Sequence, residues 1–251
     1  MRLSYVVIGW GIVLVLIGFP FVRAYAVLGT MNPSTTLAQP KKPSENSQAT
    51  PAHRIELDIP ADSYFAGTEG RSLLKYLVRC ALDNGTEAHL SLPGEKFIYM
   101  GGVGLAPEWA QRALTLTEQR WVSACIFALT NKLGKSVRVD LRAAHPKIGE
   151  DTEEEKRIYL LHEGGFFGNL FLPVPVSYVC EGTDRKKMLD FPIGKLRLCA
   201  QPSGTTTPGG QPLSPCGFII TGSCNSPSSF VVNGERLNEV VHTWLPPEPR
   251  E

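Results

Sequence analysis

The chain has 251 residues and a formal net charge of +1, because 25 lysines and arginines nearly balance 24 aspartates and glutamates. A balanced surface produces no strong field that would gather nucleic acid or an anionic membrane, so neither is an expected partner. Hydrophobic residues make up 43% of the chain, which is ordinary for a protein that buries a core.

The first 26 residues have the layout of a secretory signal peptide. Arg2 supplies a positive start, an uncharged apolar run covers residues 6–19, and Ala-Tyr-Ala at 24–26 has the small-x-small form of a cleavage site. The alternative is an uncleaved anchor, because residues 6–22 are nearly long enough to span a bilayer. In both cases we expect the rest of the chain outside the cytoplasm, periplasmic or secreted, with membrane contact only through this segment.

Composition then divides the exported part into a linker, one domain and a short tail. Residues 27–52 are polar and rich in Pro, Ser and Thr, which predicts a flexible linker that cannot bury enough apolar surface to order itself. The apolar periodicity that follows predicts a single globular domain over residues 53–245, with a tail at 246–251.

Periodicity predicts the elements of this domain in chain order. They are a strand at 53–59, a helix at 71–82, two strands around the Pro93-Gly94 turn, a helix near 117–133 capped by Thr117, a strand at 136–143, an acidic loop at 149–157, and a β-rich, loop-rich third from Ile158. In the predicted strand at 136–143, Asp140 alternates with Val139 and Leu141, so we expect its side chain to face solvent. The fold class is α+β, with two core helices packed on antiparallel strands and supported by disulfides.

Six cysteines outside the cytoplasm predict a disulfide framework rather than a thiolate metal site. They are Cys80, Cys125, Cys180, Cys199, Cys216 and Cys224, and no C-x-x-C pair or zinc-type Cys/His spacing occurs among them. We therefore predict no metal and no cofactor. Cys80 and Cys125 lie on the apolar stripes of the two predicted helices, which favours a bond between them over two buried free thiols. For the other four, sequential pairing is the simplest of the 15 possible connectivities.

The stretch HEGGFFGNLF, residues 162–171, contains the candidate catalytic residues His162 and Glu163. His162 as a base with Glu163 as its partner would suit acid–base chemistry. Adjacent residues on a strand point to opposite faces, however, and the segment is not H-E-x-x-H. We therefore favour a structural role for this stretch, in which its glycines form turns, over a catalytic role. Positive φ at Gly164-Gly165 would serve a turn or bulge, and Gly168-Asn169 would form a second turn.

Several longer blocks together resemble a known family. The blocks LVRCAL, GLAPEW, WVSACIFALTN, EGGFFGNLF and CGF, spread over residues 70–225, are similar to an ADYC-domain-like family of secreted, cysteine-rich proteins from myxobacteria and their relatives. Relatives carry a further cysteine pair where this chain has Leu114 and Glu118, and the motif behind the family label is missing here. The family has no agreed activity, so the resemblance implies export but assigns no catalytic residue.

Three functions remain open at this point. The favoured one is a non-enzymatic binding or assembly module at the cell envelope or surface, with an envelope or extracellular component as partner. The second is an extracytoplasmic hydrolase with a site near His162 and Glu163. The third is a membrane-tethered structural protein whose signal segment stays uncut.

Overall fold

The computed structural model describes residues 53–57, 59, 63–131, 137–149, 151–191 and 197–247. The predicted signal peptide, the alternative anchor at residues 6–22, the linker and the last four residues of the tail lie outside these ranges. No helix of the described part is long and apolar enough to cross a bilayer.

The described helices and strands follow one another in this order. They are β1 (His53–Leu57), α1 (Thr68–Ala81), β2 (Thr86–Leu92), β3 (Glu95–Met100), α2 (Leu116–Ala128), β4 (Asp140–Arg142), α3 (Glu153–Ile158), β5 (Leu161–Asn169), β6 (Val176–Glu181), α4 (Arg185–Asp190), β7 (Ile219–Ser223), β8 (Val231–Val232), β9 (Glu235–Arg236) and β10 (Val241–Leu245).

Two main sheets organise the described chain, together with the small β8–β9 ribbon. One sheet has the order β1-β2-β3, and the other has the order β4-β10-β5-β6-β7. The α+β class is confirmed. Most strand pairs are antiparallel, as expected, but the sheets are mixed, because β1 pairs parallel with β2 and β6 pairs parallel with β7.

The two predicted core helices are present and are joined to each other by a disulfide. In α1 the apolar stripe is buried, and it includes Leu74, Val78 and Cys80. Helix α2 is buried over all its residues from Trp121 to Ala128 and lies against β5. One continuous hydrophobic cluster contains residues of both helices and both main sheets, so β5 is covered by α2 on its core-facing side.

The ends of two elements differ from expectation. The cap of α2 is Thr115, not Thr117, because Thr115 forms a reciprocal capping box with Glu118. The acidic stretch predicted as a loop contains helix α3, which starts with the same device between Thr152 and Glu155. Three glutamates in the first turn of α3 also suit the positive end of a helix dipole.

The three disulfides confirm one predicted pairing and correct the other two. Cys80 is bonded to Cys125 as expected. The remaining four cysteines pair as Cys180–Cys224 and Cys199–Cys216, so the second bond is nested inside the first and the sequential pairing is wrong. The order of the strands in the sheet explains the observed pairing. Because β7 lies parallel beside β6, it carries Cys224 back to Cys180.

Two further expectations about strands are corrected. Residues 161–169 form one continuous strand, β5, rather than two turns, and positive φ occurs only at Gly168. A bulge is nevertheless present, since the pairing with β10 shifts register opposite Glu163. Asp140 is 6% exposed rather than solvent-facing, because Arg142 packs and hydrogen-bonds over it.

Candidate functional site

Strand β5 presents His162 and Glu163 to opposite faces of the five-stranded sheet. Glu163 points into the core, where Thr243 of β10 meets it. His162 points to the other face, where it meets His242 and Trp244, the neighbours of Thr243 on β10. The two side chains therefore lie on opposite sides of the sheet, as expected for adjacent residues of a strand.

Glu163 takes part in a fully buried ion pair with Arg197. Arg197 Nη2 lies 2.7 Å from Glu163 Oε2, and the two side chains are 0% and 1% exposed. Arg197 Nε donates to Glu163 Oε1 at 3.1 Å, and the Thr243 hydroxyl donates to Oε2 at 2.7 Å. Both carboxylate oxygens are thus occupied away from solvent, which leaves Glu163 a structural group rather than an available acid or base.

The Arg197 guanidinium also caps the C-terminal end of α2 with hydrogen bonds. Arg197 donates to the carbonyl of Ala128 and to the carbonyl of Thr130, each at 2.9 Å. The last carbonyls of a helix have no partner within the helix, and a basic side chain is a favourable one. The pair therefore links helix α2, strand β5 and the segment that begins at residue 197.

The opposite face carries the histidine cluster, which we define as Arg142, His162, His242 and Trp244. His162 Nε2 lies 3.0 Å from His242 Nδ1. The His162 ring stacks on Trp244 with centroids 4.8 Å apart, and the Arg142 guanidinium lies 4.2 Å from the Trp244 ring centroid. Strands β4, β10 and β5 thereby hold a cation, an indole and two imidazoles in one contiguous layer.

The two imidazoles of the cluster are neutral at physiological pH. The backbone N–H of Thr183 points at His162 Nδ1 across 3.4 Å, which favours the proton on Nε2 and a hydrogen bond from there to His242 Nδ1. Burial, and secondarily the nearby His162, lowers the pKa of His242 to about 4. Burial also lowers the pKa of His162. A neutral pair can share one proton or offer its lone pairs to a metal ion.

The Cys180–Cys224 disulfide lies directly beside this imidazole pair. A ligand atom from each of His162, His242 and Cys224 lies within 4.8 Å of the other two, and no other such group of three occurs among the described residues. A Cβ atom at Gly165 would come within 2.8 Å of both Cys180 Sγ and His242 Cε1. Glycine is needed here for close approach, not for positive φ. While the sulfurs remain bonded to each other, neither is a thiolate ligand.

Residues of this cluster were only partly predictable. His162 is one of the candidate residues, whereas His242 was missed. The signal for His242 was the alternation in VHTWL, where His242 and Trp244 share one face of a strand. For Arg197 no comparable signal exists, because its role depends on α2 and β5, which are distant in sequence.

A second feature is the apolar tip of the β5–β6 hairpin, which we define as residues 170–175, LFLPVP. Phe171 and Leu172 are each 39% exposed and Val174 is 61% exposed. The tip is tied to the rest of the domain by hydrogen bonds. Leu170 N donates to Ser123 Oγ of α2 at 2.9 Å, and Phe171 N donates to Asn169 Oδ1 at 2.8 Å.

A third feature is a cavity of about 280 Å³ between β1, α1 and the turn at Trp109. Its walls are apolar apart from Glu56, and Phe65, Leu74 and Leu77 contribute to them. Binding sites for small molecules normally add several convergent polar groups to an apolar lining. One carboxylate does not supply them, so this cavity offers little chemistry.

Three disulfides and no free cysteine among the described residues indicate an oxidising, extracytoplasmic compartment for the domain. The chain matches no family model, no curated protein and no solved structure.

Proposed function

We propose that this protein is an exported, disulfide-supported binding module of the cell envelope or surface, without catalytic activity of its own. Its partner is an envelope or extracellular protein with an apolar groove, and the apolar tip of the β5–β6 hairpin is the part that enters the groove. The resemblance to the ADYC-domain-like secreted family supports export but adds no ligand.

The exposed tip is the main support for this proposal. Contiguous apolar side chains on the surface of a soluble protein commonly mark a contact site. No charged residue occurs from 170 to 180, so the tip has no electrostatic attraction to anionic lipid headgroups. A protein groove is therefore favoured over a bilayer surface.

The tip also has the rigidity of a pre-organised ligand. Pro173 and Pro175 restrict its backbone. The backbone N–H groups of its first two residues donate hydrogen bonds to Ser123 and Asn169. Because little conformational entropy remains to be lost, binding through the tip retains more of its contact energy.

The hydrolase alternative finds no comparable support. Glu163 is enclosed with Arg197, and His162 hydrogen-bonds to His242 on the other face of the sheet. The membrane-tethered alternative depends on residues 6–22, which lie outside the described chain.

The tip is tested by replacing Phe171, Leu172 and Val174 together with serine. We expect the affinity for the partner to fall at least roughly 10-fold, since a few buried apolar anchors dominate most interfaces. To find the partner, a photo-crosslinking residue is placed at Val174 in the producing cells. The purified partner is then titrated with the native and the triple-serine chains.

A crosslinking residue at Val231, which is also apolar and 44% exposed, is the matched control. The proposal predicts one discrete protein adduct from position 174, absent from position 231 and suppressed by excess unlabelled chain. Adducts with lipid, equal adducts from both positions, or an unchanged affinity of the triple-serine chain would each contradict it.

A further inference from the structure

We propose that reduction of the Cys180–Cys224 disulfide converts His162, His242, Cys180 and Cys224 into a Cys₂His₂ zinc site. The disulfide form described above is then the metal-free state of a redox-controlled metal site. This inference does not depend on the hairpin tip and its partner.

The four donors come from neighbouring parts of one sheet. His242 is on β10, His162 on β5 and Cys180 on β6, and Cys224 directly follows β7, which is the order of these strands across the sheet. Ligands held on paired strands keep their positions better than ligands on loops. The sheet therefore positions three of the four donors before a metal binds, and Cys224 follows one residue after the end of β7.

The distances are close to those of a tetrahedral zinc site. Zn–N bonds of 2.0–2.1 Å place two imidazole nitrogens about 3.3 Å apart, and Zn–S bonds of 2.3 Å place two thiolates about 3.8 Å apart. The observed His162 Nε2–His242 Nδ1 separation is 3.0 Å. Cys224 Sγ and one ring nitrogen of each histidine lie within 4.8 Å of one another. Cys180 Sγ is not in that group, so two adjustments are needed once the disulfide is broken: the two sulfurs separate, and Cys180 Sγ moves toward the imidazoles.

Gly165 lies beside both the proposed fourth donor, Cys180 Sγ, and the imidazole of His242, and it has no side chain to fill the space between them. Any larger side chain there would collide with Cys180 Sγ and with the His242 ring, both 2.8 Å from the position of its Cβ atom. The sulfur of Cys180 and the ring of His242 therefore border the same small volume. This places Cys180 beside the three donors already grouped by distance.

Exposure makes this the disulfide that a reductant reaches first. Five of the six cysteines are at most 3% exposed, whereas Cys224 is only partly buried. Both sulfurs of Cys80–Cys125 are in the core, as are those of Cys199–Cys216. An external thiolate must approach a sulfur directly, so access selects Cys224.

The chemistry balances with a dithiol as the reductant. One thiolate of the dithiol attacks Cys224 Sγ, the Cys180–Cys224 bond breaks, and Cys180 takes a proton. The second thiol of the reductant then displaces Cys224, which leaves an oxidised dithiol and two protein thiols. Binding of Zn²⁺ releases those two protons to solvent. The proton on His162 Nε2 moves to Nδ1, and the long Thr183 contact at that atom gives way.

The test uses Co²⁺, which gives visible d–d bands in a tetrahedral site and a near-ultraviolet charge-transfer band when thiolate is bound. The exported chain is treated with a limited amount of dithiol, freed of reductant under argon and titrated with Co²⁺. We expect one Co²⁺ per chain with both kinds of band, displaced by Zn²⁺, and no bands from the untreated chain.

Variants assign the ligands. His242→Ala should weaken Co²⁺ binding roughly 100-fold or more, because changing a residue that only hydrogen-bonds to a metal ligand already lowers metal affinity about 10- to 100-fold. The matched control is His145→Ala. His145 packs on Trp121 and is not in the group of three possible ligands, so this variant should bind Co²⁺ as the native chain does. Absence of bands after reduction would overturn the proposal. Bands that survive His242→Ala would also overturn it, because they would come from thiols of an unfolded or different region.

Discussion

Replacing Arg197 with methionine is expected to lower the free energy of unfolding by about 3–5 kcal/mol. The change leaves the Glu163 carboxylate buried at 1% exposure, with the Thr243 hydroxyl as its one remaining hydrogen-bond partner among the described residues. It also removes the donors to the carbonyls of Ala128 and Thr130 at the end of α2. Urea unfolding followed by near-ultraviolet circular dichroism measures the loss, with the three disulfides kept intact.

Two controls separate a buried pair from a surface charge effect. Arg54→Met removes a pair with Glu56 in which the two side chains are 62% and 59% exposed, and it should cost less than about 1 kcal/mol. The double variant Glu163→Leu/Arg197→Met removes both charges and should recover much of the stability lost in Arg197→Met alone. A cost for Arg197→Met no larger than for Arg54→Met would contradict the buried ion pair.

Replacing both Cys80 and Cys125 with alanine is expected to destabilise the domain by about 4 kcal/mol. The bond closes a loop with a sequence separation of 45 residues, and in the chain-entropy model the benefit grows with the length of that loop. Both sulfurs are fully buried between α1 and α2, so lost packing adds to the effect. Urea unfolding in the absence of reductant gives the number.

The nested bond between Cys199 and Cys216 is the internal comparison. Its sequence separation is 17 residues, so its removal by the same double alanine change should cost about 3 kcal/mol. A Cys80→Ala/Cys125→Ala chain that is as stable as the native protein would mean that the helices are held by packing alone.

The parts of the fold that depend on local pattern were predictable. Helix α1 follows from its apolar stripe, and the Cys80–Cys125 bond follows from two stripes that must face each other. The cap of α2 could also have been found, since T-L-T-E at 115–118 is a capping box, whereas Thr117 has Arg120 three residues on. The same T-x-x-E pattern marks the start of α3 within its run of acidic residues.

The parts that depend on long-range pairing were not predictable from one sequence. The alternation predicts that Asp140 and its neighbours Val139 and Leu141 point to opposite faces of the strand. It does not show that Arg142, on the same face as Asp140, covers the Asp140 carboxylate. The disulfide pairing depends on β7 returning beside β6, which sequence order does not reveal. Strand geometry predicts that His162 and Glu163 point to opposite faces. The contact between His162 and His242 depends on the pairing of β5 with β10, which one sequence does not reveal.

A disulfide map of the chain purified from its native cells without reductant is the decisive measurement, because the oxidising compartment and the arrangement around the histidine cluster both depend on the pairing. Digestion without reduction at acid pH must cut between Cys216 and Cys224, for which Phe218 is a suitable site. The structure predicts one fragment pair linked through Cys180 and Cys224, a second linkage within residues 198–218 through Cys199 and Cys216, and a third through Cys80 and Cys125. Free thiols at Cys80, Cys125, Cys199 or Cys216, or fragments linked as Cys180–Cys199 and Cys216–Cys224, would contradict it.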